Sequence, residues 1–171
     1  MKATTERFDF CLRLLVAGVL LVMPPSATWS ATSTANLNVQ ITITNQCLIG
    51  STGDVNFGTT GLIGIAGISA TGTINVQCTL ATPYNIGLDA GLGSGATEAQ
   101  RKMTLAGNTV TYSLYQDPTH LVVWGNTIGS TTLTGLGTGI SVPIPVYGFV
   151  PNQATPPAGV YTDTVTVTVT F

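Results

Sequence analysis

Charged side chains are scarce in this sequence, and their scarcity excludes several classes of protein. Only 7% of the 171 residues are charged, and five of them are Lys or Arg. Nucleic-acid-binding domains cluster basic residues on one face, so we expect no nucleic-acid partner. The hydrophobic fraction is 44%. That value separates the chain from disordered proteins, which combine high charge with few apolar residues.

Histidine is almost absent, and this argues against catalysis and metal binding. His120 is the only histidine, and Asp117 to His120 (DPTH) is typical of a turn. The carboxylates are scattered, with no visible pair for acid–base chemistry. The loop GLGSG at 91–95 lacks the strand and helix that flank a phosphate-binding loop. We therefore expect no enzyme, no catalytic residue, no metal and no cofactor.

Aromatic residues are also few, at 7% of the chain. Five of them fall in stretches that alternate like strands, so core packing is favoured over a sugar-stacking surface. These five are Tyr112, Tyr115, Trp124, Tyr147 and Phe149.

The N-terminal 30 residues differ from the rest. Basic residues precede an apolar run at 14–23 (LLVAGVLLVM), which is too short to span a bilayer. Small residues follow at 28 and 30, which is the pattern of a secretory signal peptide. We expect residues 1–30 to be removed by cleavage after Ser30 and the chain to be exported. Two basic and five acidic residues would remain, a net charge of −3.

Cysteine is rare, and the expected cleavage leaves an even number. Cys11 falls in the signal peptide, whereas Cys47 and Cys78 remain. Two cysteines in an exported chain predict a disulfide. Closing a loop of roughly 30 residues would stabilise the fold by about 3–4 kcal/mol in the chain-entropy picture.

Long amphipathic helices are missing, and short alternating segments take their place. Eight or nine strands separated by glycine-rich turns predict an all-β, immunoglobulin-like antiparallel sandwich. Ten segments are candidates for these strands, and they lie at 35–44, near 55–57, and at 73–80, 84–89, 103–105, 110–116, 121–124, within 130–139, at 140–150 and from 160 onward. The turn of the hairpin is predicted at Gly107-Asn108, and the charged segment 97–102 (TEAQRK) is predicted to be a solvated loop. Pro143 and Pro145 favour an edge position or a strand switch for 140–150.

Both ends of the expected mature chain are strong strands without the charges or prolines that normally blunt an exposed edge. The first carries Leu37, Val39, Ile41 and Ile43 on one face, and the last carries Val165, Val167, Val169 and Phe171. Two explanations stay open. The strands pair within one closed sandwich, or the first strand is donated to another copy, as in pilin assembly. Burying four such side chains would contribute about 6–12 kcal/mol.

Several segments carry a resemblance to a known family. They are NVQITITNQC, INVQCTL, VTYSLYQD, VPIPVYGFVP and PAGVYTDTVTVTVTF. Over essentially the whole mature chain the sequence resembles the spore coat protein U domain family and, within it, the major pilins of archaic (Csu-type) chaperone–usher pili.

The resemblance implies an incomplete immunoglobulin-like fold that lacks one strand. Residues 31–46 would form a donor-strand extension and residues 47–171 the pilin domain. The donor face would be Leu37, Val39, Ile41 and Ile43, with the disulfide Cys47–Cys78 at its root. The last strand, through Val165, Val167, Val169 and Phe171, would border the acceptor groove and face the chaperone.

The same resemblance implies partners and a place in the cell. The partners would be further copies in a head-to-tail polymer, a periplasmic chaperone, an outer-membrane usher and a tip adhesin. The product would be a surface pilus that supports adhesion and biofilm formation. Two alternatives remain: a spore coat structural protein, and a secreted, self-contained sandwich that binds a carbohydrate or surface ligand.

Overall fold

A computed structural model describes residues 29–171 of the protein. The predicted signal peptide therefore lies outside the described residues except for its last two positions. The chain divides into two units between Gln40 and Ile41. Residues 29–46 contain no strand or helix. The larger unit contains eight strands: β1 (Cys47–Gly53), β2 (Ile68–Cys78), β3 (Pro83–Leu88), β4 (Arg101–Leu105), β5 (Asn108–Tyr115), β6 (Leu133–Leu136), β7 (Ser141–Val150) and β8 (Val167–Thr170).

The strands form two antiparallel sheets, and the predicted all-β immunoglobulin-like sandwich is confirmed. One sheet has the order β1-β2-β7-β5-β4, and the other has the order β6-β3-β8. Residues 29–171 contain no helix. This part of the chain therefore has no helix that is long and apolar enough to cross a membrane.

The core lies where alternate residues of the two sheets meet. In β2, the buried positions recur every second residue, as expected for a strand with one face in the core. Trp124 and Ile86 are completely buried, and the Trp124 indole donates a hydrogen bond to the Ile86 carbonyl oxygen at 2.8 Å. Tyr112 is also buried, so the predicted core role is confirmed for Trp124 and Tyr112. It is wrong for Tyr115, Tyr147 and Phe149, which are half-buried and lie outside the core.

Two of the short predicted strands are not strands. Val55 and Phe57 lie in an irregular segment, and their half-buried side chains pack against the core. They occupy space that only a glycine leaves open, because a Cβ at Gly148 would lie 2.5 Å from Val55. The segment 121–124 makes a single bridge, Tyr115 to Val123. Packing holds Val55 and Phe57 in place, whereas the segment 121–124 is also held by two backbone hydrogen bonds. The Gln116 N–H donates to the Val122 carbonyl at 2.9 Å, and the Trp124 N–H donates to the Leu114 carbonyl at 2.8 Å.

The predicted strand at 35–44 is also not formed, since none of residues 29–46 is in a strand. The last strand is shorter than predicted and starts at Val167. Of the residues expected to begin it, Tyr161 is in no strand or bridge, and Thr162 makes only an isolated bridge to Thr104. Alternation alone does not make a strand, because the backbone also needs a partner for its hydrogen bonds.

The proline-containing strand lies inside the sheet rather than at its edge. β7 pairs with β2 along its whole length, whereas β5 pairs with it only at Tyr147 to Phe149. Pro143 and Pro145 are exposed and lie in the part of β7 that β5 does not reach. The prediction was wrong for the strand as a whole, although the prolines themselves occupy a local edge.

The predicted hairpin is present with its turn one residue earlier. β4 and β5 are joined by Ala106 and Gly107, whose φ angles are 46° and 84°. Two consecutive positive φ values define the turn type whose twist matches that of a β-hairpin.

The predicted solvated loop at 97–102 is present only at residues 97–100, which are mostly exposed and irregular. Arg101 begins β4 and is completely buried. Its guanidinium donates hydrogen bonds of 2.7–2.9 Å to the carbonyl oxygens of Leu88, Asp89, Glu98 and Trp124. Burial lowers the pKa of Arg101, and nearby acidic groups oppose that shift. These hydrogen bonds satisfy the donors of the buried Arg101 cation. They also tie the loop after β3 and the loop before β4 to the sheet.

Candidate strand-exchange site

The N-terminal segment displays a row of apolar side chains to solvent. Leu37, Val39, Ile41 and Ile43 are between 74% and 88% exposed. Large apolar side chains in alternate positions, with no charge between them, favour burial against a sheet. The single chain leaves these four residues without that burial.

The root of this segment is fixed by covalent and hydrogen bonds. Cys47 and Cys78 lie opposite each other in the β1–β2 ladder, with their Cα atoms 4.1 Å apart, and form a disulfide. The predicted disulfide is therefore confirmed. Next to it, the backbone N–H of Gln46 donates to the Thr79 hydroxyl at 3.1 Å, and the Thr79 N–H donates to the Gln46 carbonyl at 2.9 Å. The N-terminal segment that precedes Gln46 is therefore attached at a rigid point.

One edge of the sandwich at β1 is poorly covered. β1 pairs only with β2, and six of its seven residues are exposed. Ile49 lies opposite Val76 in the ladder, so the two side chains share a face of the sheet. Val76 is 3% exposed, whereas Ile49 is 40% exposed. The core is closed over β2 and open over β1.

The second sheet is open in the same way at β8. β8 pairs only with β3, where Val167 lies opposite Leu88 and Val169 lies opposite Ile86. Leu88 and Ile86 are at most 2% exposed. Val167 and Val169 are only half-buried, although they pack against the same core.

β1 and β8 approach each other across the two sheets. Within residues 29–171, each presents a backbone edge without a partner strand, and each carries core-facing residues that are incompletely covered. We call this open side, bounded by Leu48 and Ile49 of β1 and by Val165, Val167 and Val169 near the C-terminus, the acceptor edge. Phe171 lies just beyond it and is 54% exposed.

Two carboxylates hold the chain just before β8. The Asp163 carboxylate accepts hydrogen bonds from the Tyr112 hydroxyl at 2.7 Å and from the backbone N–H groups of Leu92 and Thr164 at 2.8 Å. The Asp89 carboxylate accepts bonds from the N–H groups of Gly91 at 3.0 Å and Thr166 at 2.9 Å. Together they fix residues 163–166 to the loop after β3.

The hydrogen bonds of this cluster shift the pKa values of Asp89 and Tyr112. Burial alone would raise the pKa of Asp89, but hydrogen bonds from Thr166 and Gly91 and the charge of Arg101 hold it below its ordinary value. Burial, together with the hydrogen bond to Asp163, raises the pKa of Tyr112. The tyrosine therefore remains a hydrogen-bond donor at neutral pH.

The sequence contained a signal for the buried role of Asp163, but the search for alternating apolar residues did not include this polar position. Asp163 lies in phase with Val165, Val167 and Val169, which all face inward. A carboxylate on the inward face must be hydrogen-bonded. Asp89, at the end of a strand, gave no comparable signal, because its partners come from distant loops.

The predicted turn at Asp117 is confirmed. The carboxylate of Asp117 accepts hydrogen bonds from the backbone N–H groups of Thr119, Leu121 and Val122 and from the Thr119 hydroxyl, which lowers its pKa to about 2. His120 stacks on Phe149 with the ring centroids 4.9 Å apart. In the part of the chain that the structure describes, no three His, Cys, Asp or Glu residues lie close enough to hold a metal ion.

Comparisons with known proteins identify a matching family, a similar sequence and a similar fold. Residues 33–168 match the Spore Coat Protein U domain. The sequence is 43% identical over 157 residues to Protein U of Myxococcus xanthus, covering 83% of this chain and 87% of that protein. These matches, with the structural neighbour below, identify a structural, non-enzymatic protein.

The fold is similar to a chain in the crystal structure of the CsuC-CsuE chaperone-tip adhesion subunit pre-assembly complex, from the archaic chaperone-usher Csu pili of Acinetobacter baumannii. The TM-score is 0.57 and the sequences are 25% identical, over 76% of this chain and 40% of that chain. This chain thus spans two-fifths of the length of that solved chain.

Proposed function

Because the chain belongs to the spore coat protein U domain family, we propose that it is a structural subunit of a surface pilus, assembled by donor-strand exchange through a chaperone–usher pathway. The observation that carries this proposal is the coexistence of an exposed apolar strand sequence and an open sheet edge in one chain. Neither feature is stable alone in water, and each supplies what the other lacks.

The donor in this proposal is the face formed by Leu37, Val39, Ile41 and Ile43. Its alternation matches the period of a strand with one buried face. The disulfide at its root transmits any pull on the segment directly to β1 and β2.

The acceptor is the acceptor edge of a second copy. A strand inserted beside β8 would pair with its free backbone groups and cover Val165, Val167 and Val169. On the other side it would cover Ile49. Burying four donor side chains contributes about 6–12 kcal/mol. That is comparable with the whole stability of a small domain.

This contact is heterologous, since a donor on one copy fits an acceptor on the next. Such contacts do not close and therefore generate linear filaments. Before assembly, the free edge would require protection. We therefore propose three further partners: a periplasmic chaperone that binds β8 and Phe171, an outer-membrane usher, and a tip adhesin. The neighbour's chaperone and tip subunit support this set of partners.

In this proposal the chain passes through the periplasm and ends in an extracellular filament that supports adhesion and biofilm formation. A second candidate function is a spore coat structural protein, which the name of the matching family favours. Both use the same subunit contact, so immunogold labelling of vegetative cells and spores separates them. Filaments on vegetative cells favour the pilus, and label confined to the spore surface favours the coat.

A denaturing gel of material from native cells tests the shared mechanism. Samples are run unboiled and boiled, each with and without reductant. We expect a ladder of multimers that collapses on boiling and resists reductant, since exchanged strands are held kinetically. Monomer in every lane would contradict strand exchange. A ladder that collapses only with reductant would contradict the internal Cys47–Cys78 pair as the disulfide of the assembled protein.

A further inference from the structure

The start of the last strand is held in an unusual way. β8 is four residues long and has a neighbouring strand on one side only. The residues before it, 163–166, take their main fixed contacts from the Asp163 and Asp89 carboxylates described above. We call these two side chains the carboxylate clamp.

The clamp sets which face of the last strand points inward. Asp163 is in phase with Val165, Val167 and Val169, so anchoring its carboxylate beneath Tyr112 places all three valines on the core side. Side chains alternate with a period of two, and a slip of one residue would turn every valine outward. A short strand paired on one side resists such a slip poorly by itself.

The clamp is built into the loop after β3 rather than added to its surface. Gly91 has φ +77°, and a Cβ there would collide with the Asp163 carboxylate. The Asp89 N–H also donates to the Thr166 carbonyl at 3.1 Å, so Asp89 grips Thr166 through both its side chain and its backbone. Arg101 in turn holds the Asp89 carbonyl at 2.7 Å.

We propose that Asp163 and Asp89 are positioning residues that hold the C-terminal strand in the register required to receive a donor strand from another copy. This inference rests on the proposed function, because it assigns the clamp a role in the same exchange. It predicts that loss of the clamp weakens donor capture at temperatures where the sandwich is still folded.

The test measures capture of a fluorescent synthetic peptide with the sequence of residues 35–46. The acceptor is the full chain, disulfide-bonded and carrying Ile41→Arg so that it cannot donate to its own copies. Binding and dissociation are followed by anisotropy. Asp163→Ala and Asp89→Ala should each speed peptide dissociation by about tenfold, the factor associated with losing hydrogen bonds to a charged group.

A matched control comes from another aspartate turn. The Asp117 carboxylate also accepts several backbone hydrogen bonds, but none from residues 163–171. Asp117→Ala should leave peptide dissociation within about twofold of the parent, since surface turns away from a site rarely influence it. Asp163→Asn retains an acceptor for Leu92 and should restore much of the slow dissociation. If aspartate turns acted only through global stability, Asp117→Ala and Asp163→Ala would not differ in this way in their rates of peptide dissociation.

The outcomes separate the two proposals. If the parent captures the peptide and the clamp variants hold it as long as Asp117→Ala does, the clamp inference is wrong and strand exchange stands. If the parent captures no peptide, both proposals fail. Circular dichroism and disulfide content establish folding. Should Asp163→Ala fail to fold, Tyr112→Phe, which removes only one hydroxyl from the clamp, decides: unchanged dissociation overturns the inference and faster dissociation supports it.

Discussion

The segment 37–43 and the last strand share one sequence pattern and have different structures. Both place apolar residues at every second position with small polar residues between them. In the first, Ile41 is 83% exposed and no strand forms. In the second, Val167 and Val169 are half-buried and paired with β3. The difference shows that alternation specifies a face to be buried, while a neighbouring backbone decides whether a strand exists.

The largest expected effect comes from a charge on the donor face. Ile41→Arg should abolish the heat-sensitive multimers, because an ionised side chain is not tolerated in a dry groove. Thr42→Arg is the matched control, since it places the same charge on the opposite face of the same strand. Multimers are measured on unboiled gels from cells with their own assembly machinery. Equal loss in both variants would mean that charge, rather than the face, matters.

The next largest expected effect is a difference in the free energy of unfolding between alanine variants of two isoleucines. Ile86 is completely buried and Ile41 is 83% exposed. Ile86→Ala should reduce the free energy of unfolding by about 2–5 kcal/mol. Ile41→Ala should change that of the monomer by less than about 0.5 kcal/mol. Urea unfolding of the monomer measures both. A large loss from Ile41→Ala would place the donor segment inside its own sandwich.

Removal of the disulfide should have an effect of similar size by another route. Replacing Cys47 and Cys78 by serine opens a loop with a sequence separation of 31 residues. The entropy of the unfolded chain then lowers stability by about 3–4 kcal/mol. Urea unfolding of the double variant, beside the parent with its disulfide intact, tests this. A parent that loses no stability on reduction would show that the bond constrains little.

The smallest effect concerns acid. The folded-state pKa of Asp89 lies below its ordinary value. Its stabilising contribution is therefore fully present above the unfolded pKa, near 4, and is lost as the pH falls through the folded value. Asp89→Asn should flatten the fall in the urea midpoint between about pH 4.5 and pH 2.5. Parallel curves for parent and variant would show that Asp89 does not contribute to that fall.

The sequence was sufficient for the fold class because strands with one buried face leave a period-two signal. β3, the β4–β5 hairpin, β6 and the disulfide were predicted from the residues alone. The failures have different causes. Val55 and Phe57 alternate like a strand, but they pack against distant residues such as Gly148, and that tertiary context decided against a ladder. The apolar run 121–124 forms only one bridge, from Val123 to Tyr115.

The polar part of the site was harder to predict. Arg101 looked solvated because it lies in the most charged stretch of the chain, yet it is completely buried. Its partners are carbonyl oxygens, which every residue carries and which leave no trace in the sequence. Asp163 could have been found by its inward phase. The open edge of β1 could not, since strand order depends on which segments pair across the chain, and the open edge of β8 was expected only from the family resemblance.

Hydrogen exchange on multimers from native cells, compared with monomer, tests the central claim most directly. Peptides that cover residues 35–46 and 163–171 report on donor and acceptor together. We predict that both become strongly protected in multimers, and that residues 35–46 exchange rapidly in the monomer, where they form no strand. Fast exchange of residues 35–46 in multimers would contradict the account, because it would mean that the copies are joined without their donor strands.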